Sequence, residues 1–173
     1  RLEIQIYDVR EEKYWADLTF LPLFQNKKIV GVFAIVKNIT DRYKTEEHLQ
    51  LLKRGLDASP NGIVITDSTS NHEIVYINPA FLKLTGYSEK EISGRNCRFL
   101  QGEDTDINAV QEIHKALKDK REVQITLKNY RKDGTWVWNQ LTLSPVWNQN
   151  NECTHFIGTQ QDVTQKRIDE EYI

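Results

Sequence analysis

The sequence predicts an α+β fold: a five-stranded antiparallel sheet with short helices on one face, preceded by a linker helix and three further strands. The first observation behind it is an internal repeat. Residues 2–25 align without a gap on residues 125–148, with Tyr7 on Tyr130, Trp15 on Trp138, Leu18 on Leu141 and Pro22 on Pro145. The second is turn chemistry, because Lys132-Asp133-Gly134 and Asn148-Gln149-Asn150-Asn151 are hairpin-type connections between strand-like runs. The third is asymmetry. Only the second copy is preceded by a segment with two more strands and several helix signals, giving the order two strands, short helices, three strands.

Along the chain, residues 1–40 read as three antiparallel strands. Past the next turn Phe33 falls on Phe156, and Asn38-Ile39-Thr40 falls on Asp162-Val163-Thr164. Three strands without helices cannot cover their own apolar face, so this segment is expected to be the tail of an upstream domain, completed by preceding chain or by a partner. The chain contains no methionine, which fits a piece of something longer. Residues 41–58 carry many charges and no glycine before Gly55, and Leu49, Leu52 and Leu56 recur three and four apart. That spacing predicts a linker helix with one apolar seam, for packing on its own domain or for a dimer coiled coil.

The second module, 59–164, opens with strands at Ile63–Thr66 and Ile74–Ile77. Asn78-Pro79 is an N-cap followed by proline at the first helical position, and Ser88 with Glu91 forms a capping box that Gly94 can close. After Asp106 a longer helix places Val110, Ile113, His114 and Leu117 on one face. Strands follow near 122–130, 135–147 and 154–162, and residues 165–173 begin another helix.

Composition excludes several functions. Net charge is −2 and no basic block stands out, which argues against nucleic acid and acidic membrane surfaces. No apolar run approaches the roughly 20 residues of a spanning helix, so a soluble, cytoplasmic location is expected. Cys97 and Cys153 lack the framework of a disulfide scaffold. His48, His72, His114 and His155 are scattered, and neither a metal set, a nucleophile triad nor a glycine-rich phosphate loop is present, which disfavours an enzyme.

Strand alternation places Asn129, Asn139 and Gln160 on the core face beside Leu127, Leu141, Leu143, Phe156 and Gly158. A buried amide left unpaired costs about 1 to 3 kcal/mol, so these three need partners. They can satisfy one another, but three on adjacent strands fit a bound polar heterocycle better, because each offers a donor and an acceptor. The repeat supplies a control: the aligned residues in the first copy are Ile6, Ala16 and Val36. In the run Gly94–Gln101, the Cys97 thiol lies beside the Asn96 amide, the Arg98 guanidinium and the Gln101 amide. That mixture suits a planar, phosphate-bearing cofactor. On the opposite sheet face, Trp136, Trp138 and Ile157 form an aromatic surface suited to a helix or a second subunit.

Four separated motifs now agree: Asn-Cys-Arg-Phe-Leu-Gln at 96–101, Asn-Tyr-Arg-Lys-Asp-Gly at 129–134, Trp-Asn at 138–139 and Phe-Ile-Gly-Thr-Gln at 156–160. Through them residues 60–164 resemble a LOV domain, the flavin-binding blue-light sensor branch of the PAS family. Residues 1–40 resemble the end of an ordinary PAS domain. The resemblance implies a PAS fold and a flavin, with FMN expected and riboflavin or FAD as alternatives. It implies that Cys97 is the photoactive thiol, adding reversibly to the flavin C4a atom. Asn96, Gln101, Asn129, Asn139 and Gln160 would hold the ring and ribityl chain. Val64, Thr66, Leu100, Val110, Leu117, Leu127, Leu141, Leu143, Phe156 and Gly158 would line the pocket. Gln160 would also relay the signal through the last strand to the following helix.

Arg98 matches a phosphate-binding position of the family, while a second position that is often arginine there is His114 here, a weaker phosphate contact than a bidentate guanidinium. The resemblance further implies a sensory rather than catalytic module, a homodimer formed through the linker helix or the outer sheet face, and an effector such as a histidine kinase outside this sequence. The competing reading is a flavin-based redox or ligand-sensing PAS module without photochemistry.

Overall fold

The computed structural model describes residues 1–171, in two compact units divided between Arg54 and Gly55. In the first, β1 (Leu2–Tyr7), β2 (Lys13–Gln25) and β3 (Lys28–Asn38) form an antiparallel meander. The β2–β3 turn is tight because Asn26 and Lys27 both take positive φ, 49° and 64°, the pattern that matches strand twist in two-residue hairpins. Large apolar side chains on β2 and β3, including Phe20, Phe24, Val32 and Phe33, are exposed. Helix α1 (Thr40–Asp57) follows. At its start the Trp15 amide donates to Thr40 Oγ1 at 2.9 Å, and the Trp15 ring stacks on Tyr43 at 4.1 Å.

The second unit contains β4 (Gly62–Asp67), β5 (Ile74–Ile77), α2 (Pro79–Thr85), α3 (Glu89–Ile92), a 3-10 turn at Cys97–Leu100, α4 (Ile107–Asp119), β6 (Val123–Tyr130), β7 (Trp136–Trp147), β8 (Cys153–Asp162) and α5 (Thr164–Glu171). The predicted α+β architecture is present: the five strands run β5-β4-β8-β7-β6, all antiparallel. The last strand is therefore central, bonded to β4 on one edge and β7 on the other. The expected helix at 165–173 begins at Thr164, and its last two positions lie outside the described residues.

Local chemistry explains the helix ends. Asn78 caps α2 by accepting from the Phe81 amide, and Gly86 ends it at φ 77°, a left-handed conformation that costs glycine little. Ser88 donates both its amide and its hydroxyl to Glu91 Oε2. Helix α4 starts at the Asp106 cap and buries Ala109, Val110 and Ala116.

Strand register corrects one equivalence of the repeat. Pro145 pairs with Phe156, whereas Pro22 pairs with Val32, so Val32 and not Phe33 matches Phe156. The stretch from Pro145 to its partner Phe156 is one residue longer than that from Pro22 to Val32, and sequence matching of two phenylalanines hides the slip.

The core of the second unit forms two clusters. Val64, Ile74, Ile77, Phe81, Ile92 and Leu100 make one; Ala116, Val123, Leu143, Cys153 and Phe156 make the other. Val64 and Leu100 of the first and Leu143 of the second line a shared cavity.

Candidate functional site

That cavity has a volume of about 470 Å³. Its floor is the inner face of the sheet, contributed by Val64, Thr66, Leu127, Asn129, Leu141, Leu143, Gly158 and Gln160. Gly158 sits on the central strand, and a Cβ there would lie 3.0 Å from Val64 Cγ1 and 3.5 Å from Leu141 Cδ1. The missing side chain leaves a flat cradle of the kind a planar ring needs. The facing wall comes from α4, through Ile113, His114, Leu117 and Lys118, and from Asn96, Cys97, Arg98, Leu100 and Gln101.

The 3-10 turn presents Cys97. Asn96 fixes it by accepting from the Arg98 amide at 2.9 Å, while its own Nδ2 donates to the Asn71 carbonyl. The thiol packs against the first core cluster and lines the cavity. Burial pushes it up to about 12 from an ordinary 9.0, so it is protonated at neutral pH. In the dark, alkylation of Cys97 by a maleimide at pH 8 is expected to run at least about tenfold slower than that of a free thiol. Peptide mass spectrometry checks it, and equal rates would contradict a desolvated thiol. The folded value is the higher one, so the thiol's contribution to stability is whole below pH 9.0 and is lost as pH rises toward about 12.

The three core-face amides are buried together. Asn139 Nδ2 donates to Asn129 Oδ1 at 2.8 Å, and Asn129 Nδ2 reaches the Leu100 carbonyl at 3.3 Å. Asn139 Oδ1 and Gln160 Oε1 are buried without a protein partner. Unpaired buried acceptors of this kind are costly, and that of Gln160, which lines the cavity, points to a donor-bearing ligand edge. The donors and acceptors present therefore fit a ring system with a mixed polar edge.

Fifteen of the eighteen sequence-nominated residues line the cavity: Val64, Thr66, Asn96, Cys97, Arg98, Leu100, Gln101, His114, Leu117, Leu127, Asn129, Leu141, Leu143, Gly158 and Gln160. Three do not. Asn139 stands one step back, lining a small adjoining void with Leu100, Asn129 and Gln160. Val110 is buried in α4, and Phe156 packs in the second cluster with its ring edge-on to His72 at 5.5 Å.

Sequence reading missed Ser68, Thr69, Ser70, His72, Ile113 and Lys118 as lining residues. The first four lie in the β4–β5 connection, which carries no periodic signal. Lys118 was detectable, because it lies four residues beyond His114 and so shares its helix face. Among the described residues, no carboxylate lines the cavity and no cluster of three or more His, Cys, Asp or Glu side chains is placed to hold a metal ion. No described helix is long and apolar enough to cross a membrane.

A model of the PAS domain matches residues 1–41 and 60–165. The LOV domain of a blue-light activated histidine kinase from Erythrobacter litoralis superposes with a TM-score of 0.59 at 44% identity, covering 62% of this chain and 99% of that one. The chain belongs to the PAS family, in its LOV branch. The LOV segment carries the cavity, and the first unit carries the additional PAS-type strands. A blue-light photoreceptor of Listeria innocua is 41% identical over 115 residues, 66% of this chain and 45% of that protein. The bacterioopsin transcriptional activator of Halobacterium salinarum is 40% identical over 122 residues, 70% of this chain and 18% of that protein. The chain thus spans less than half the length of these relatives.

Proposed function

We propose that residues 59–164 are a blue-light sensing module that holds a flavin in the cavity and answers light with a reversible bond between Cys97 and the ring. One observation carries this reading: the same cavity is lined by a desolvated, protonated thiol and by Gln160, whose buried Oε1 has no protein partner. The relatives named for blue light support it. When bound, the flavin supplies a blue-absorbing ring with an electrophilic carbon, C4a, to which a thiol adds. Cys97 would supply both the Sγ that adds to a bound ring and the proton taken up there. Asn129 and Gln160 orient the polar edge, with Asn139 bracing Asn129 from behind. Gly158, Leu127, Leu141 and Leu143 accept the ring plane and exclude water. Arg98 and His114 in the lining favour a phosphate, so FMN is the form we assign.

Excitation rather than a lowered pKa supplies the reactivity, which keeps the thiol inert in the dark. Gln160, whose carboxamide offers both a donor and an acceptor, would answer a change from acceptor to donor on a bound ring by rotating. Two residues along β8, Asp162 Oδ1 accepts from the Thr164 amide at 2.9 Å. The Val163 amide donates to the Trp138 carbonyl at 2.8 Å, and Trp138 donates to Thr164 Oγ1 at 3.0 Å. The Arg167 guanidinium then lies 4.1 Å from the Trp138 ring centroid. We assign this junction as the path from Gln160 into α5. Gln160→Leu is expected to keep the light-induced bleaching while reducing the accompanying change in hydrogen exchange at 160–167. A full exchange response in that variant would remove Gln160 from the path.

We read residues 1–40 as the C-terminal strands of a further PAS module, 41–58 as the linker and 165–171 as the start of an output helix. We assign the module a sensory role, in a cytoplasmic homodimer formed through the exposed Leu49 and Leu52 seam or the outer face around Trp136, with catalysis left to an effector such as a histidine kinase. The deciding experiment is an absorption spectrum of the purified protein before and after blue light, followed through dark recovery. Reversible bleaching of a flavin band supports photosensing. A flavin band that never bleaches favours redox or ligand sensing, and absence of flavin overturns the cavity assignment.

A further inference from the structure

The lining of the cavity includes a basic residue that the phosphate argument has not used. Arg98 on the 3-10 turn, and His114 and Lys118 on α4, all line it. Lys118 lies four residues beyond His114, about 6 Å along the axis, on the same face. Several other basic side chains of this unit are engaged by carboxylates: Arg121 by Glu112, Lys128 by Asp104, Arg131 by Asp162 and Lys132 by Glu91. Among the described residues, the side chains of Arg98, His114 and Lys118 have no ion-pair partner, and no carboxylate lines the cavity to compensate them.

The charge of the ligand then has to match. A phosphate monoester carries roughly −1.5 to −2 at pH 7. Arg98 supplies one fixed positive charge in a planar fork, and an imidazole at 114 adds less than a guanidinium would. Lys118 brings a compact ammonium on a flexible four-carbon stem, free to adjust to a ligand while its helix position stays fixed. Nothing else lining the cavity offers a second ammonium or guanidinium.

We propose that Lys118 is a specificity-determining residue of this cavity: with Arg98 it holds the terminal phosphate and sets the preference for FMN over riboflavin. The assignment rests on the flavin reading above. It makes the pair Arg98 and Lys118, rather than Arg98 and His114, the main charged contact, with His114 as a hydrogen-bonding neighbour.

The test is a titration of flavin-free protein with riboflavin and with FMN, at low and high salt, read by quenching of flavin fluorescence. The unsubstituted protein is expected to bind FMN more tightly, with the advantage shrinking as salt rises. Lys118→Ala is expected to weaken FMN roughly two- to fivefold and to flatten the salt dependence, in a loss confined to FMN. Lys118→Arg should restore the preference, and Lys118→Glu should lower FMN affinity further. An unchanged ratio of FMN to riboflavin affinity in Lys118→Ala and Lys118→Glu would overturn the assignment while leaving the flavin reading intact. An equal loss of both flavins would overturn it too, by revealing a structural role. Failure of every flavin to bind the unsubstituted protein would take down both readings.

Discussion

Cys97→Ala is expected to abolish the reversible light-induced bleaching while leaving flavin bound. The thiol is the one sulfur lining the cavity among the described residues, so its removal takes away the only thiol placed to add to a bound ring. Cys153 cannot replace it. That residue is buried at the start of β8, within the cluster around Phe156, and its thiol donates to the His155 carbonyl at 3.5 Å. Retention of flavin follows from where the turn gets its shape. Asn96, not Cys97, caps it, and the amides on the sheet lie outside the substitution. The replacement removes one sulfur from a partly buried position, which affects stability far less than a full large-to-small core change. Absorption spectra of the variant before and after illumination, with flavin content measured by release on denaturation, separate the two halves of the claim. Bleaching that persists and recovers without Cys97 would assign the photochemistry to another group.

What could be read in advance follows from how locally each feature is encoded. Asn129 and Gln160 were legible because strand alternation is strict and both strands are flanked by unambiguous turns. The same rule placed Asn139 on the correct face, but only the 2.8 Å bond to Asn129 sets it behind the lining. That is a question of side-chain reach, which spacing does not encode. The slip from Phe33 to Val32 arose where turn lengths differ, since register in a hairpin follows the turn and not residue identity. Ser68, Thr69, Ser70 and His72 line the cavity from the connection after β4, where the pairing with β5 is irregular near Thr66, and an irregular connection leaves no period to find. Lys118 is the opposite case, encoded by simple helical spacing yet overshadowed by the apolar residues of the same face. Asn78 shows the limit most clearly. As an N-cap it is plain from the sequence, whereas its reach to three other segments depends on the assembled fold.

Asn78 leads to the largest expected loss of stability. Its side chain is fully buried and uses its whole bonding capacity. Oδ1 accepts from the Ile63 amide at 2.7 Å and the Phe81 amide at 3.0 Å, while Nδ2 donates to the Leu56 carbonyl at 3.0 Å and the Asn61 carbonyl at 2.9 Å. One amide thus joins the end of α1, the approach to β4, the first residues of β4 and the start of α2. Asn78→Ala removes a helix cap, worth typically about 1 kcal/mol, and leaves further buried groups short of partners at about 1 to 3 kcal/mol each. The expected destabilisation is therefore roughly 3 kcal/mol or more, read as a lower urea midpoint by far-UV circular dichroism at fixed flavin concentration. Asn78→Asp discriminates the roles. As a cap, aspartate performs about as well as asparagine. As a tie it fails, because it has no donors for Leu56 and Asn61 and sets a carboxylate against their carbonyl oxygens. Asn78→Asp is accordingly expected to fall well below the unsubstituted protein, toward the alanine variant. A midpoint equal to that of the unsubstituted protein would reduce Asn78 to a cap and separate the end of α1 from the stability of the sensory unit.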